Sequence, residues 1–205
     1  MIDQQGQATK SSRNHAPGAR IILGIDPGTT VMGFGVLRVE GRNLAVLEVD
    51  ALRIPAEDDH TRKLRAIFRQ VMHLIERHRP DELAIEAQFF GKNVQSMLKL
   101  GRAQGVAIAA ALQRDIPVVE YAPKRVKQSV TGNGNATKEQ VAAMLLSILG
   151  LKELPPSTDA TDALAVAVCH ALANGTASGP SKRGASRGTS DWGSFIRNNP
   201  GRVRE

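Results

Sequence analysis

The stretch IILGIDPGTT, residues 21–30, constrains this chain more than any other. Ile21, Ile22, Leu23 and Ile25 form an apolar run without polar alternation, the pattern of a strand covered on both faces. Such a strand needs neighbours beside it and helices above and below it. The run ends on Asp26, where the next core residue belongs, and Pro27 and Gly28 follow at once. A carboxylate at the end of a buried strand is costly unless something neutralises it.

The rest of the chain supplies the sheet that this strand requires. Residues 21–54 read as three strands, broken by the turn sequences PGTT and EGRN, so VMGFGVLRV and LAVLEVDALRI form antiparallel hairpins with the first strand. Over 61–78, Leu64, Ile67, Phe68, Val71, Met72 and Ile75 recur at helical spacing, and Pro80 stops the helix. A fourth strand is predicted at 82–87, a helix at 93–113 and a fifth strand at 116–122. Further helices are predicted at 123–130, 137–149 and 159–173. Hairpin strands followed by strand–helix alternation define an α/β fold, a mixed five-stranded sheet with helices on both faces.

Composition narrows the class. The net charge is +7 and the pI near 10.0. Three basic residues face one acid in residues 1–20, and six face two in 176–205, so the excess sits at the ends. Both ends are rich in Gly, Ser, Asn and Arg and poor in apolar residues, and they read as disordered tails (1–20 and a basic 176–205) around one domain at 21–175. Basic tails alone are weak support for a polyanionic partner. The lone cysteine, Cys169, fits a reducing compartment. Residues 1–20 lack the apolar segment of a signal peptide, and no apolar run approaches the roughly 18–20 residues that span a bilayer, so a cytoplasmic protein off the membrane is expected.

Asp26 has a counterpart. Glu86 ends the fourth apolar strand, and if strands one and four are parallel neighbours, both acids lie in the crevice at the carboxyl ends of the sheet. In STDATDALAVAVCHALA, Asp159 and Asp162 share one face of a helix start, and that face continues as Val166 and Cys169, so both acids point at the sheet. Singly, each acid has a plainer reading: Asp26 a turn opener, Asp159 an N-cap, Asp162 a partner of the positive helix end, Glu86 the end of an edge strand. Together, four acids at the ends of buried elements repel one another unless a cation neutralises them. All-oxygen donors suit Mg²⁺ or Mn²⁺, and two such ions, roughly 3.5–4 Å apart in two-metal sites, hydrolyse phosphodiesters.

On GIDPG, AIEAQFFGKN, LKLGRAQGVA, VKQSVTGNGNATKEQV and DATDALAVAVCH, in that order over about 21–174, the chain resembles the RuvC family of bacterial Holliday junction resolvases, within the ribonuclease H-like superfamily. The resemblance implies catalytic metal ligands at Asp26, Glu86, Asp159 and Asp162, with two Mg²⁺ per site or Mn²⁺ in their place. It implies a homodimer that nicks two opposing strands of a four-way DNA junction symmetrically, with a branch-migration motor complex of the RuvA and RuvB type as partner. It assigns catalytic roles near the cut phosphate to Lys127 and Lys138, and base stacking to Phe89.

From spacing alone Phe89 and Phe90 are equal candidates for stacking, the other being core. Lys124, Arg125, Lys127 and Lys138 flank the glycine-rich TGNGN, which with the helix start after Asn135 is a candidate phosphate cradle or, more plainly, a solvated face with a flexible loop. Lys92 and Lys99 are candidates for backbone contacts further out. His170 reads as a satisfied core or rim histidine, Cys169 as a small buried hydrophobe, Glu120 as a structural or surface acid, and Glu57, Asp58 and Asp59 as a solvated cluster.

GIDPGTT also resembles the first phosphate loop of actin-like ATPases. Those proteins need a second subdomain and a second glycine-rich loop, which this length does not supply. A non-catalytic nucleic-acid-binding module on the same core is a second rival, which loss of one acid would favour. A nuclease with another substrate is a third.

Overall fold

The structure, a computed structural model, describes residues 18–88 and 93–175. In chain order its elements are β1 (Ala19–Asp26), β2 (Val31–Glu40), β3 (Asn43–Arg53), α1 (His60–His78), β4 (Glu82–Glu86), α2 (Val94–Leu112), β5 (Val118–Tyr121), α3 (Pro123–Thr131), α4 (Lys138–Leu149) and α5 (Thr158–Gly175). The strands form one sheet in the order β3-β2-β1-β4-β5. β1–β2 and β2–β3 pair antiparallel, and β1–β4 and β4–β5 pair parallel. Residues 1–17 and 176–205 fall outside the described residues, and the expected N-terminal tail ends sooner than residue 20, because Ala19 and Arg20, in β1, already pair with Glu40 and Val39.

The period-two alternation of the strands divides the core into two layers. Ile21, Leu23, Ile25, Leu83 and Ile85 face one side and pack with Ile67, Val71 and Leu74 of α1 and Ala103, Ala107 and Ala110 of α2. Ile22, Ala84 and Tyr121 face the other and pack with Val126 of α3, Val141 and Leu145 of α4, and Val166 and Cys169 of α5. Asp26 and Glu86 carry the parity of Ile22 and Ala84, so both belong to the α5 side.

Helix ends follow local chemistry. Asp59 caps α1, its Oδ1 accepting from Arg62 N at 2.8 Å, and Arg79 closes that helix in the left-handed region, φ 49°. One member of the acidic cluster at 57–59 is therefore a cap. β5 starts at Val118, two residues later than the apolar run predicts. Pro117 has no N–H to donate, although its carbonyl accepts from Leu83 N at 2.9 Å.

α5 lies unusually close to the sheet. A Cβ at Gly33 would fall on the carbonyl of Asp159, and a Cβ at Gly24 would strike the carbonyl of Ala163 and lie 2.8 Å from Ala167 Cβ. Glycine in the strands and alanine on the facing helix let the two backbones meet. The contact sets the height of the α5 first turn above the ends of β1 and β4.

Candidate active site at the carboxyl ends of β1 and β4

The parallel register pairs Ile25 with Ile85, so Asp26 and Glu86, one step further on, stand side by side at the strand ends. Gln88 Nε2 donates to Pro27 O at 3.4 Å and joins the loops leaving the two strands. Above them, α5 opens with Asp159 and Asp162. The helix is capped by Ser157, whose Oγ accepts from Ala160 N at 3.4 Å. The capping role open to Asp159 is thus filled by another residue, and Asp159 and Asp162 are half-buried toward the sheet.

The four acids share one electrostatic neighbourhood. Asp26 is pushed up to about 8, by burial first and then by the charges of Glu86, Asp162 and Asp159. Glu86 is pushed up to about 7, by burial first and then by Asp162. Lys138 opposes both shifts, and Lys127 opposes that of Glu86. Lys138 Nζ lies 2.6 Å from Asp162 Oδ2. Among the described residues, no three carboxylates close on a single point as they would around a bound ion. They face one another across a crevice, with the Lys138 ammonium at its rim on Asp162.

The donors fit a divalent cation: four carboxylates of half-buried residues, two of them pushed up by burial first and by mutual repulsion second, with the Lys138 ammonium on Asp162.

The basic residues divide. The charges of Lys127 and Lys138 act on the acids, and no such action is seen for the exposed Lys99 and Lys124. The charge of Arg125 acts on Tyr121 and Cys169. Phe89, Phe90 and Lys92 lie outside the described residues.

The glycine-rich loop differs from the expected backbone cradle. Gly132 N bonds Gln128 O, Asn133 N bonds Thr131 Oγ1, Gly134 N bonds Gln128 Oε1 and Asn135 N bonds Asn133 Oδ1. At the start of α4, Thr137 and Gln140 form a capping box that uses two more N–H groups. The loop's amides are spent on its own turns, because Thr, Asn and Gln side chains there compete for them. What the segment brings to the site is Lys138.

Three residues escaped sequence reasoning. Gly24 and Gly33 seat α5, and their signal was the glycine alternation in LGID and VMGFG at inward positions. Gln88 stood next to Phe89 and Phe90 and was passed over for them. The decoys fall away from the site. His170 is 1% exposed, and its Nδ1 meets Tyr121 Oη at 2.8 Å while its Nε2 meets Glu82 Oε2 at 3.1 Å. Cys169 is fully buried. Glu120 accepts from Gln104 Nε2 at 2.5 Å on the opposite side of the sheet.

Acids on adjacent parallel strands of a 3-2-1-4-5 sheet, faced by acids on a closely seated helix, define a nuclease of ribonuclease H-like fold. Residues 22–170 match the family described as "Crossover junction endodeoxyribonuclease RuvC". Proteins of that description from Cytophaga hutchinsonii and Christiangramia forsetii are 55% and 52% identical over 185 residues, 90% of this chain and 88% and 93% of theirs. The solved structure "T. thermophilus RuvC in complex with Holliday junction substrate" superposes with a TM-score of 0.73 at 36% identity, covering 77% of this chain and 96% of that one. The chain belongs to the crossover junction endodeoxyribonuclease RuvC family. It is an endonuclease, and the actin-like ATPase and non-catalytic readings are set aside. Among the described residues no helix is long and apolar enough to cross a membrane.

Proposed function

We propose that this chain resolves four-way DNA junctions in recombination and repair by nicking two opposing strands symmetrically, with divalent cations held by Asp26, Glu86, Asp159 and Asp162. The observation that carries the reading is the convergence of these acids on one crevice beside Lys127 and Lys138. The family is one of metal-dependent nucleases, and the all-oxygen donors suit Mg²⁺, with Mn²⁺ in its place. Held by Asp26, Glu86, Asp159 and Asp162, two such ions would supply activation of a water and charge stabilisation of the leaving 3′ oxygen.

The chain's own residues orient the reaction. Asp26 and Glu86 form one wall of the crevice from rigid strand ends, and Asp159 and Asp162 form the other from the first turn of α5. Lys127 and Lys138 attract the scissile phosphate and offset its charge as the bond breaks. Phe89, or Phe90 in its place, stacks on or wedges between bases beside the cut. Lys92, Lys99, Lys124 and Arg125 contact the backbone of the arms and position the junction.

A two-fold junction needing paired nicks calls for a homodimer. α2 presents Val94, Leu98 and Leu112 at 65%, 52% and 57% exposure, an apolar row that a second copy would cover. A branch-migration motor complex of the RuvA and RuvB type is the partner that delivers the junction. A cytoplasmic location accords with the lone buried Cys169.

The test is a junction with each strand end-labelled in turn. Two nicks at symmetry-related positions on opposing strands, leaving ligatable 5′-phosphate ends, are expected. Nicks confined to one strand, or scattered over all four, would overturn the symmetric resolvase reading.

A further inference from the structure

Lys138 is the first residue of α4, and its side chain crosses to α5, where Nζ meets Asp162 Oδ2 at 2.6 Å. That hydrogen bond, and the charges of Asp162, Asp26 and Asp159, hold the ammonium charged above the usual lysine range. The same ammonium draws both Asp26 and Glu86 back toward their ionised forms. One positive charge thus acts on the whole cluster.

The backbone beneath it is fixed. The Thr137–Gln140 capping box sets the start of α4, and Val141 and Leu145 bury the next turns. The stem is not fixed: the Lys138 side chain is 62% exposed and makes its contact through the terminal atom. A long flexible stem on a rigid base lets the ammonium leave Asp162 without moving the fold.

We infer that Lys138 fills the place of a cation in the metal-free site, so that a divalent ion must displace its ammonium from Asp162, and that the displacement frees the same ammonium for the substrate phosphate. The inference rests on Asp162 being a metal ligand, as proposed above. Two cations on one carboxylate repel, so ion and ammonium compete for Asp162. Lys138 therefore lowers metal affinity in the free enzyme while keeping the four acids from repelling one another unopposed.

The test is Mn²⁺ binding to the DNA-free protein, followed by electron paramagnetic resonance, with folding of each variant checked by circular dichroism. Lys138→Met keeps the length and removes the charge, and should bind Mn²⁺ about three- to tenfold more tightly than wild type, the range set by one exposed charge beside a divalent ion. Lys138→Arg should show no such gain. Lys127→Met removes the charge facing Glu86 and leaves the Lys138–Asp162 pair, and should give the smaller increase. Unchanged or weaker binding by Lys138→Met, or equal tightening by both methionine variants, would overturn the displacement. Mn²⁺ binding that survives Asp162→Asn at full strength would overturn instead the assignment of Asp162 as ligand, and the displacement with it.

Discussion

Asp26 faces Gly33 across the β1–β2 ladder, and the carbonyl of Asp159 rests on that glycine. The strand acid and the helix acid are therefore held in register by a residue with no side chain. Gly33→Ala places a methyl where the Asp159 carbonyl lies, and the first turn of α5 must lift. Overpacking of this kind costs about 1–3 kcal/mol. A displacement near 1 Å at a reacting centre lowers the rate on the order of 100-fold. Thermal unfolding and junction nicking together check both effects. A stable Gly33→Ala protein with wild-type nicking would show that the close seating of α5 does not set the site.

The raised acids give the metal-free protein an unusual pH dependence. In the fold Asp26 titrates at about 8 rather than at its ordinary 3.8, so between those values the folded state binds more protons than the unfolded one. Stability then falls as pH rises through that window, the reverse of a salt-bridged carboxylate. Glu86 adds in the same direction up to about 7. Melting temperatures in EDTA should decline from about pH 5 to about pH 8. Asp26→Asn should melt higher than wild type at the alkaline end and near it at the acid end. Equal destabilisation at both ends would refute the cost of a buried, charged Asp26 beside the other acids.

Lys127 faces Glu86 with its charge but forms no ion pair among those between described residues. Its task is therefore assigned to the phosphate. Lys127→Ala should lower the nicking rate on the order of 100-fold, as loss of a charge-stabilising donor does. Junction affinity, measured by fluorescence anisotropy, should fall only about threefold, because the proposed backbone contacts are shared among several other basic residues. Full nicking by Lys127→Ala would remove it from the site.

The apolar row on α2 gives a separate handle on assembly. Leu98→Asp alters a residue 52% exposed in the single chain, so the monomer fold should lose no more than about 0.5 kcal/mol. Sedimentation equilibrium should register a shift from dimer to monomer, with paired nicks giving way to single ones. A dimer that survives Leu98→Asp would place the two-fold contact on another face.

The sheet, its covering helices and the four acids were legible because the signals are local: unbroken apolar runs in β1 and β4, helical spacing in α1, and acids ending those runs where apolar residues belonged. What stayed hidden depends on distances across the fold. Gly24 and Gly33 read as ordinary strand glycines until α5 is laid on them. Ser157 rather than Asp159 caps α5, a choice decided by one turn of geometry. The TGNGN loop had the composition of a phosphate cradle, yet its Asn, Thr and Gln side chains take the amides for themselves. Lys138, grouped with that loop by sequence, crosses to the acids through space.

The central measurement is nicking of a synthetic four-way junction by wild type and Asp26→Asn, with Mg²⁺ or EDTA, beside a linear duplex of matched sequence. Asp26 stands at the end of β1 among the other three acids, so its loss should disable the metal site and spare the basic contacts to DNA. Paired nicks by wild type in Mg²⁺ are expected, with none in EDTA, none on the duplex, and none from an Asp26→Asn protein that still binds the junction. Nicking that persists in EDTA or in Asp26→Asn would contradict a metal-dependent resolvase built on these carboxylates.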